Sequence, residues 1–197
     1  MDTWVLTAHW GEEKIPEDLL VQLVPPERLG RLGRPQMEER RQICAAYAML
    51  RRAAARLLGC ASVPELSYGL RGKPCFAAYP QLQFSLSHTE GAALCALSDR
   101  AVGADVERIR PVTAQRARRL RLSETPEEFY AGWVERESRV KCRGGSALSC
   151  RRPVAEETGE HYRTLDVGRE WAAGLCTLSC ARVHREDLYL PELLKTE

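Results

Sequence analysis

The sequence predicts an α+β fold in two comparable halves, divided near residue 101, each running from helix into antiparallel strands. Three observations predict it. Glu38–Leu58 carries Ile43, Tyr47, Leu50, Ala54 and Leu57 at helical spacing in an alanine-rich run, with Gly59 as its stop. Leu82–Ser87, Gly91–Ser98 and Val102–Glu107 then read as consecutive short strands. Beyond residue 101 the order repeats: a helix within Ser123–Val140, then strands at His161–Val167 and Trp171–Ala181. Here Leu175–Ala181 echoes Leu94–Asp99 as an apolar strand late in its half.

The 197 residues are 44% hydrophobic and 28% charged, which places the chain among globular proteins. No apolar run is long enough for a membrane span, and the N-terminus lacks the basic-then-apolar order of a signal peptide. A cytoplasmic location and no membrane partner are therefore expected. None of the eight cysteines forms a C-x-x-C pair, so buried thiols are expected rather than zinc or a disulfide framework. The net charge of +2 hides two arginine clusters. One comprises Arg28, Arg31, Arg34, Arg40, Arg41, Arg51 and Arg52. The other comprises Arg108, Arg110, Arg116, Arg118, Arg119 and Arg121. Such patches suit an anionic ligand or an acidic partner. Aromatic residues do not interleave with them as a nucleic-acid stacking surface requires, so no nucleic acid is expected.

Thr3–His9 reads as an opening strand. Pro16-Glu17-Asp18 starts a helical stretch with Leu19, Leu20 and Leu23 apolar, and Pro25-Pro26 breaks it. Leu66-Ser67-Tyr68 is a short strand. Gly72-Lys73-Pro74 is a turn that presents one lysine, and Ser87-His88 ends the next strand. Gly91–Ser98 is nearly all apolar and suits burial on both faces. Thr113–Leu122 is a basic helical run. Ser123-Glu124-Thr125-Pro126-Glu127-Glu128 offers a cap, a first-turn proline and early acids for the following helix, which Gly144-Gly145 ends.

Two stretches carry chemistry. In Val102-Gly103-Ala104-Asp105-Val106-Glu107 the acids stand two apart, so a strand puts both carboxylates on one face. Side by side they repel. A hard divalent cation compensates them, and Gly103 admits a close neighbour. A solvated acidic edge strand has the same pattern. In the second stretch, Trp133, Glu137 and Lys141 fall at i, i+4 and i+8 and share a helix face. Either Glu137 and Lys141 form an exposed ion pair, or Trp133 turns the face inward and makes them a metal ligand and a phosphate ligand. Ser87, His88 and Lys73 together supply a hydroxyl, an imidazole and an ammonium suited to a pyrophosphate. Arg40 and Arg41, at the start of the long helix, suit either solvent or a phosphate.

In order, the motifs are Gly72-Lys73-Pro74, Phe84-Ser85-Leu86-Ser87-His88, Val102-Gly103-Ala104-Asp105-Val106-Glu107 and Trp133-x-x-Arg136-Glu137-Ser138-x-x-Lys141. This series resembles the 4′-phosphopantetheinyl transferases, specifically the surfactin-synthetase-activating type. The family pattern runs roughly G-K-P, F-N-x-S-H-S, V-G-x-D-[IV]-E and W-[ST]-x-K-E-[AS]-x-x-K.

The resemblance implies two similar α/β halves, residues 1–101 and 102–197, with antiparallel sheets related by a pseudo-twofold and the active site in the cleft between them. It implies Mg²⁺-dependent transfer of the phosphopantetheine arm of coenzyme A to a serine of an acyl or peptidyl carrier protein, releasing adenosine 3′,5′-bisphosphate. Asp105, Glu107 and Glu137 resemble the metal ligands. Glu137 and Lys141 resemble the catalytic pair. Lys73, Ser87, His88 and Lys141 resemble the coenzyme A contacts, with Arg41 on the 3′-phosphate and Arg40 as its competing register. The serine proton suits either Glu137 or a water at the metal. A monomer is expected, since one chain supplies both halves.

The chain departs from the pattern at Ser85, Thr89 and Arg136, and its interval from Glu107 to Trp133 is shorter than the family norm. A homologue that binds carrier protein or coenzyme A without transfer is the alternative reading.

Overall fold

The computed structural model describes residues 2–30, 33–145, 147–180 and 182–194. Arg31 of the early cluster, Ser146, Ala181 and the side chain of Leu20 lie outside the described residues. Strand β1 (Asp2–His9) leads to two short helices, α1 (Glu17–Leu23) and α2 (Pro26–Leu29). Pro25-Pro26 ends the first helix, and Pro26 opens the second. The long helix α3 (Met37–Leu58) stops at Gly59, whose φ of 69° makes the left-handed cap. A small hairpin of β2 (Leu66–Tyr68) and β3 (Pro74–Phe76) follows. Next come β4 (Gln83–Thr89), β5 (Ala92–Ser98) and β6 (Val102–Arg108). Helices α4 (Ala114–Leu120) and α5 (Pro126–Cys142) precede β7 (His161–Leu165), β8 (Trp171–Thr177), β9 (Arg182–Tyr189) and a last turn, α6 (Leu190–Leu193).

The fold is mixed α+β, as expected, but the strands are shared out differently. β4 and β5 pair antiparallel, with Ser87 opposite Leu94. β6 does not continue that meander. It pairs with β8, Asp105 opposite Gly174, in a second sheet ordered β6-β8-β7. The first sheet is ordered β4-β5-β1-β9, and its β1–β9 pair is parallel, with Thr3 opposite Val183. A division at residue 101 falls where the chain leaves the first sheet, but β9 returns to that sheet from the second half. The mostly polar run Arg182–Tyr189 gives no sign of which sheet the strand joins.

Four layers result. α3 covers one face of the first sheet through Tyr47, Met49 and Leu50 against Phe84, Cys95 and Leu97. The other face, with Val5, Leu94 and Ala96, meets Val102, Ala104, Val106 and Leu175 of the second sheet. β5 is therefore buried on both faces. α5 covers the far side of the second sheet, where Ser138 Oγ donates to Gly174 O at 3.1 Å. Each large side chain buried here stabilises the fold by roughly 1.5–3 kcal/mol before entropy is counted.

All eight cysteines are free thiols. Cys44, Cys95, Cys142, Cys150 and Cys176 are buried as expected, whereas Cys180 is exposed. Among the described residues no helix is long and apolar enough to cross a membrane.

Candidate active site

β6 sets the site. Its apolar residues Val102, Ala104 and Val106 enter the core between the sheets, which turns Gly103, Asp105 and Glu107 toward α5. Gly103 is required here. A Cβ would stand 2.0 Å from Ser138 O and 2.3 Å from Cys142 N, so strand and helix are in backbone contact.

Asp105 is 1% exposed. Its Oδ1 accepts from Lys141 Nζ at 2.5 Å and from Ser87 Oγ at 2.7 Å. Lys141 Nζ also donates to Ser87 Oγ at 3.1 Å and lies 3.6 Å from Glu137 Oε2. Glu107 accepts from the Trp133 indole. The helix face Trp133–Glu137–Lys141 therefore points inward, and the Glu137–Lys141 contact belongs to a larger cluster than an exposed ion pair.

Three carboxylates share one ammonium, and the imbalance shows at Glu107 and Glu137. Burial, then the charges of Asp105 and Glu137, push Glu107 up to about 7. Burial and Asp105 likewise raise Glu137. Burial works against the Lys141 ammonium, but Asp105 and Glu137 outweigh it and hold its pKa above the ordinary lysine value.

β4 closes the other side. Ser85, Ser87 and Thr89 share one face and reach across to β6. Ser85 Oγ accepts from Ala104 N at 3.0 Å and lies 3.4 Å from Ala104 O. Thr89 Oγ1 accepts from Arg108 N at 3.2 Å. The two sheets are thus stitched by hydroxyls beside the carboxylates, and Ser85, where the family pattern has Asn, serves in that seam. His88 points to the opposite face, where its Nδ1 is 3.0 Å from Gln42 Oε1 of α3. Burial, then the charges of Lys141 and Arg28, lower its pKa.

Both sides line a cavity of about 500 Å³. It gathers Lys73, Ser87, His88, Asp105, Glu107, Glu137 and Lys141, seven of the eight expected site residues. The eighth, Arg41, is not among the lining residues. Its Nε donates to Glu13 O at 2.6 Å and its Nη1 to Glu38 Oε2 at 3.3 Å. Arg40 is also absent from the lining, with its Nε on Pro35 O at 3.2 Å. These arginines satisfy main-chain and acidic acceptors near the start of their own helix, which a register argument could not foresee. Arg28 and Arg71 line the cavity instead, with Tyr47 and Tyr68. Arg28 belonged to the early cluster, but only the fold of α2 brings it to the mouth. Lys73 lines the wall, yet its Nζ donates to two main-chain carbonyls, Val102 O at 2.7 Å and Lys141 O at 2.8 Å.

Outside the cavity, Arg136 replaces the usual lysine of the helix motif. Its guanidinium donates to Leu120 O at 2.6 Å and Arg121 O at 2.9 Å, capping α4. Arg116 stacks 4.9 Å from the Phe129 ring, leaving Arg118, Arg119 and Arg121 as the exposed basic face of this region.

Among the described residues no three imidazole, thiol or carboxylate groups form a ready-made metal cage. The donor chemistry nevertheless fits a hard divalent cation. Asp105 Oδ2 is buried without a hydrogen-bond partner, a state that costs about 1–3 kcal/mol, and the two neighbouring carboxylates are under-compensated.

No protein-family model matches the chain. Curated relatives do. Over 128 residues the chain is 36% identical to the 4′-phosphopantetheinyl transferase AcpT of Salmonella typhimurium, covering 57% of this chain and 64% of that protein. It is 26% identical over 148 residues to a 4′-phosphopantetheinyl transferase of Bacillus subtilis, covering 68% and 65% of the two chains. An 85-residue stretch is 28% identical to the 4′-phosphopantetheinyl transferase Sfp of Bacillus subtilis strain 168, covering 37% and 38%. The match thus spans just under two thirds of the first two relatives' lengths. Over these stretches the chain is similar to 4′-phosphopantetheinyl transferases.

Proposed function

We propose that the chain transfers the 4′-phosphopantetheine arm of coenzyme A to a serine hydroxyl of an acyl or peptidyl carrier protein. In that reaction the serine oxygen bonds to the β-phosphorus, the pyrophosphate P–O bond breaks, and adenosine 3′,5′-bisphosphate leaves with the electron pair. The observation that carries this reading is Asp105, buried with one oxygen unpartnered among two further carboxylates and a lysine, beside a cavity of coenzyme-binding size.

Asp105, Glu107 and Glu137 would hold Mg²⁺. When bound, the ion neutralises charge on the pyrophosphate oxygens. The other roles belong to the protein. Lys141 sits where it adds a cation to the same oxygens once they draw it from Asp105. Ser87 Oγ and His88 offer polar contacts on the β4 side, and Arg28 and Arg71 offer guanidinium groups at the mouth for the remaining phosphates. Glu137, or a water at the ion, would accept the serine proton. Binding the nucleotide at several points converts affinity into alignment of the reacting atoms. We also read the two helix-on-sheet layers as halves related by a pseudo-twofold, with the site in the cleft between them. The exposed Arg118 and Arg119 would receive an acidic carrier protein.

The test is the intact mass of purified carrier proteins after incubation with the chain, coenzyme A and Mg²⁺, with an EDTA control. Transfer adds about 340 Da to one hydroxyl, and EDTA abolishes the gain. No gain on any carrier, with coenzyme A still bound, would favour a binding homologue.

A further inference from the structure

Lys73 stands on the cavity wall, where a cation would ordinarily be read as a phosphate ligand. Its donors point elsewhere. Nζ bonds Val102 O at 2.7 Å and Lys141 O at 2.8 Å. Val102 is the first residue of β6, the strand that carries Asp105. Lys141 lies in the last turn of α5, and its own side chain contacts Asp105. One ammonium therefore bridges the main chains of the two elements that form the carboxylate cluster.

The bridge is placed with care. The turn carrying Lys73 is closed by Gly72 N to Gly69 O at 2.8 Å and Gly69 N to Lys73 O at 3.0 Å. Gly72 holds φ +81°, which L side chains rarely adopt. Beside the bridge, Gly103 lets α5 and β6 touch backbone to backbone. A cation on a last-turn carbonyl also meets the negative end of the helix dipole. Burial lowers the Lys73 pKa, yet the two carbonyl bonds satisfy two of its three donors.

We propose that Lys73 is a positioning residue, a strut that fixes the last turn of α5 on β6 and so holds the Lys141 ammonium over Asp105, rather than a ligand of coenzyme A. Its kinetic consequence rests on the transferase reading above, whereas its structural consequence does not. The main chain bears the load, so side-chain chemistry at the neighbouring positions is unaffected until the helix end shifts.

The experiment compares wild type, Lys73→Met and Lys73→Arg by carrier-modification kinetics, calorimetric coenzyme A binding and amide hydrogen exchange. Lys73→Met is expected to lower kcat by about tenfold or more while changing the coenzyme A Kd and KM by less than about twofold. It should also speed exchange about tenfold or more at Arg143, Gly144 and Gly145, whose amides bond Arg139 O, Lys141 O and Val140 O at the end of α5. Lys73→Arg keeps donors for both carbonyls and should restore most of the exchange protection and part of kcat. A Kd for coenzyme A weakened about tenfold with kcat and exchange unchanged would overturn the strut and make Lys73 a ligand. If wild type modifies no carrier, the transferase reading fails, and exchange alone decides. Unchanged protection in Lys73→Met then overturns the strut, and lost protection supports it. Should Lys73→Met not fold, the same readouts on the milder Lys73→Gln decide.

Discussion

Helix α5 carries a buried charge cluster on each of two faces, and they are built on opposite terms. On one face, Glu160 has its side chain fully buried against Arg139 and Arg143. Arg143 Nε reaches its Oε1 at 2.6 Å, and Arg139 Nη1 reaches its Oε2 at 2.9 Å. Burial alone would raise this carboxyl, but Arg143, the Glu157 amide and Arg139 hold it down to about 2. On the other face, Asp105, Glu107 and Glu137 share Lys141, one Asp105 oxygen has no partner, and Glu107 is pushed up to about 7. The first cluster is closed and saturated, which is what a structural ion pair requires. The second is short of positive charge and opens on a cavity. Such a cluster lacks compensation and suits a cationic ligand, and the contrast can be broken from either end.

The largest effect is expected from the open cluster. Asp105→Asn should reduce carrier modification by roughly 10³-fold or more, with an unchanged circular dichroism spectrum and a melting temperature within about 5 °C of wild type. Normal turnover by the folded variant would remove Asp105 from the site. The closed cluster should respond in the reverse sense. Glu160→Gln is expected to cost about 3 kcal/mol in urea denaturation while leaving the rate of the folded fraction within about twofold.

Acidification sharpens the same contrast. The folded pKa of Glu160 is depressed, so its stabilisation is present above the ordinary glutamate range and is lost as pH falls from there toward 2. Glu160→Gln should therefore flatten the acid limb of a stability–pH curve. Ser85→Ala, which strips the partner from the buried Ala104 amide at the seam, should cost about 1–2 kcal/mol and slow transfer by less than about tenfold. The smallest effect belongs to the surface. Reversing charge at Arg118 and Arg119 should raise the carrier KM a few-fold with kcat unchanged. A flat KM would make that face simply solvated.

The grouping of the open cluster was legible in the sequence because it depends on local periodicity. The two-residue spacing of Asp105 and Glu107 and the four-residue spacing of Trp133, Glu137 and Lys141 fix which side chains share a face whatever the topology. Gly103 was legible for the same reason, although what it admits, the backbone of α5, was not. Long-range partners were the part that could not be read. Nothing local says that β6 pairs with β8 instead of β5, or that β9 returns to β1. Nor does it say that Arg41 is satisfied by Glu13 and Glu38 while Arg28 reaches the cavity. The saturated cluster escaped notice because Glu160 approaches α5 from a distant segment, with no motif to mark it.

Calorimetric titration of coenzyme A into wild type, Asp105→Asn and Glu160→Gln, each with Mg²⁺ and with EDTA, tests the open cluster most directly. Mg²⁺ should tighten coenzyme A binding in wild type and Glu160→Gln and have no such effect in Asp105→Asn. Equal Mg²⁺ dependence in all three proteins, or none in wild type, would contradict the assignment of the open cluster as the metal and coenzyme site.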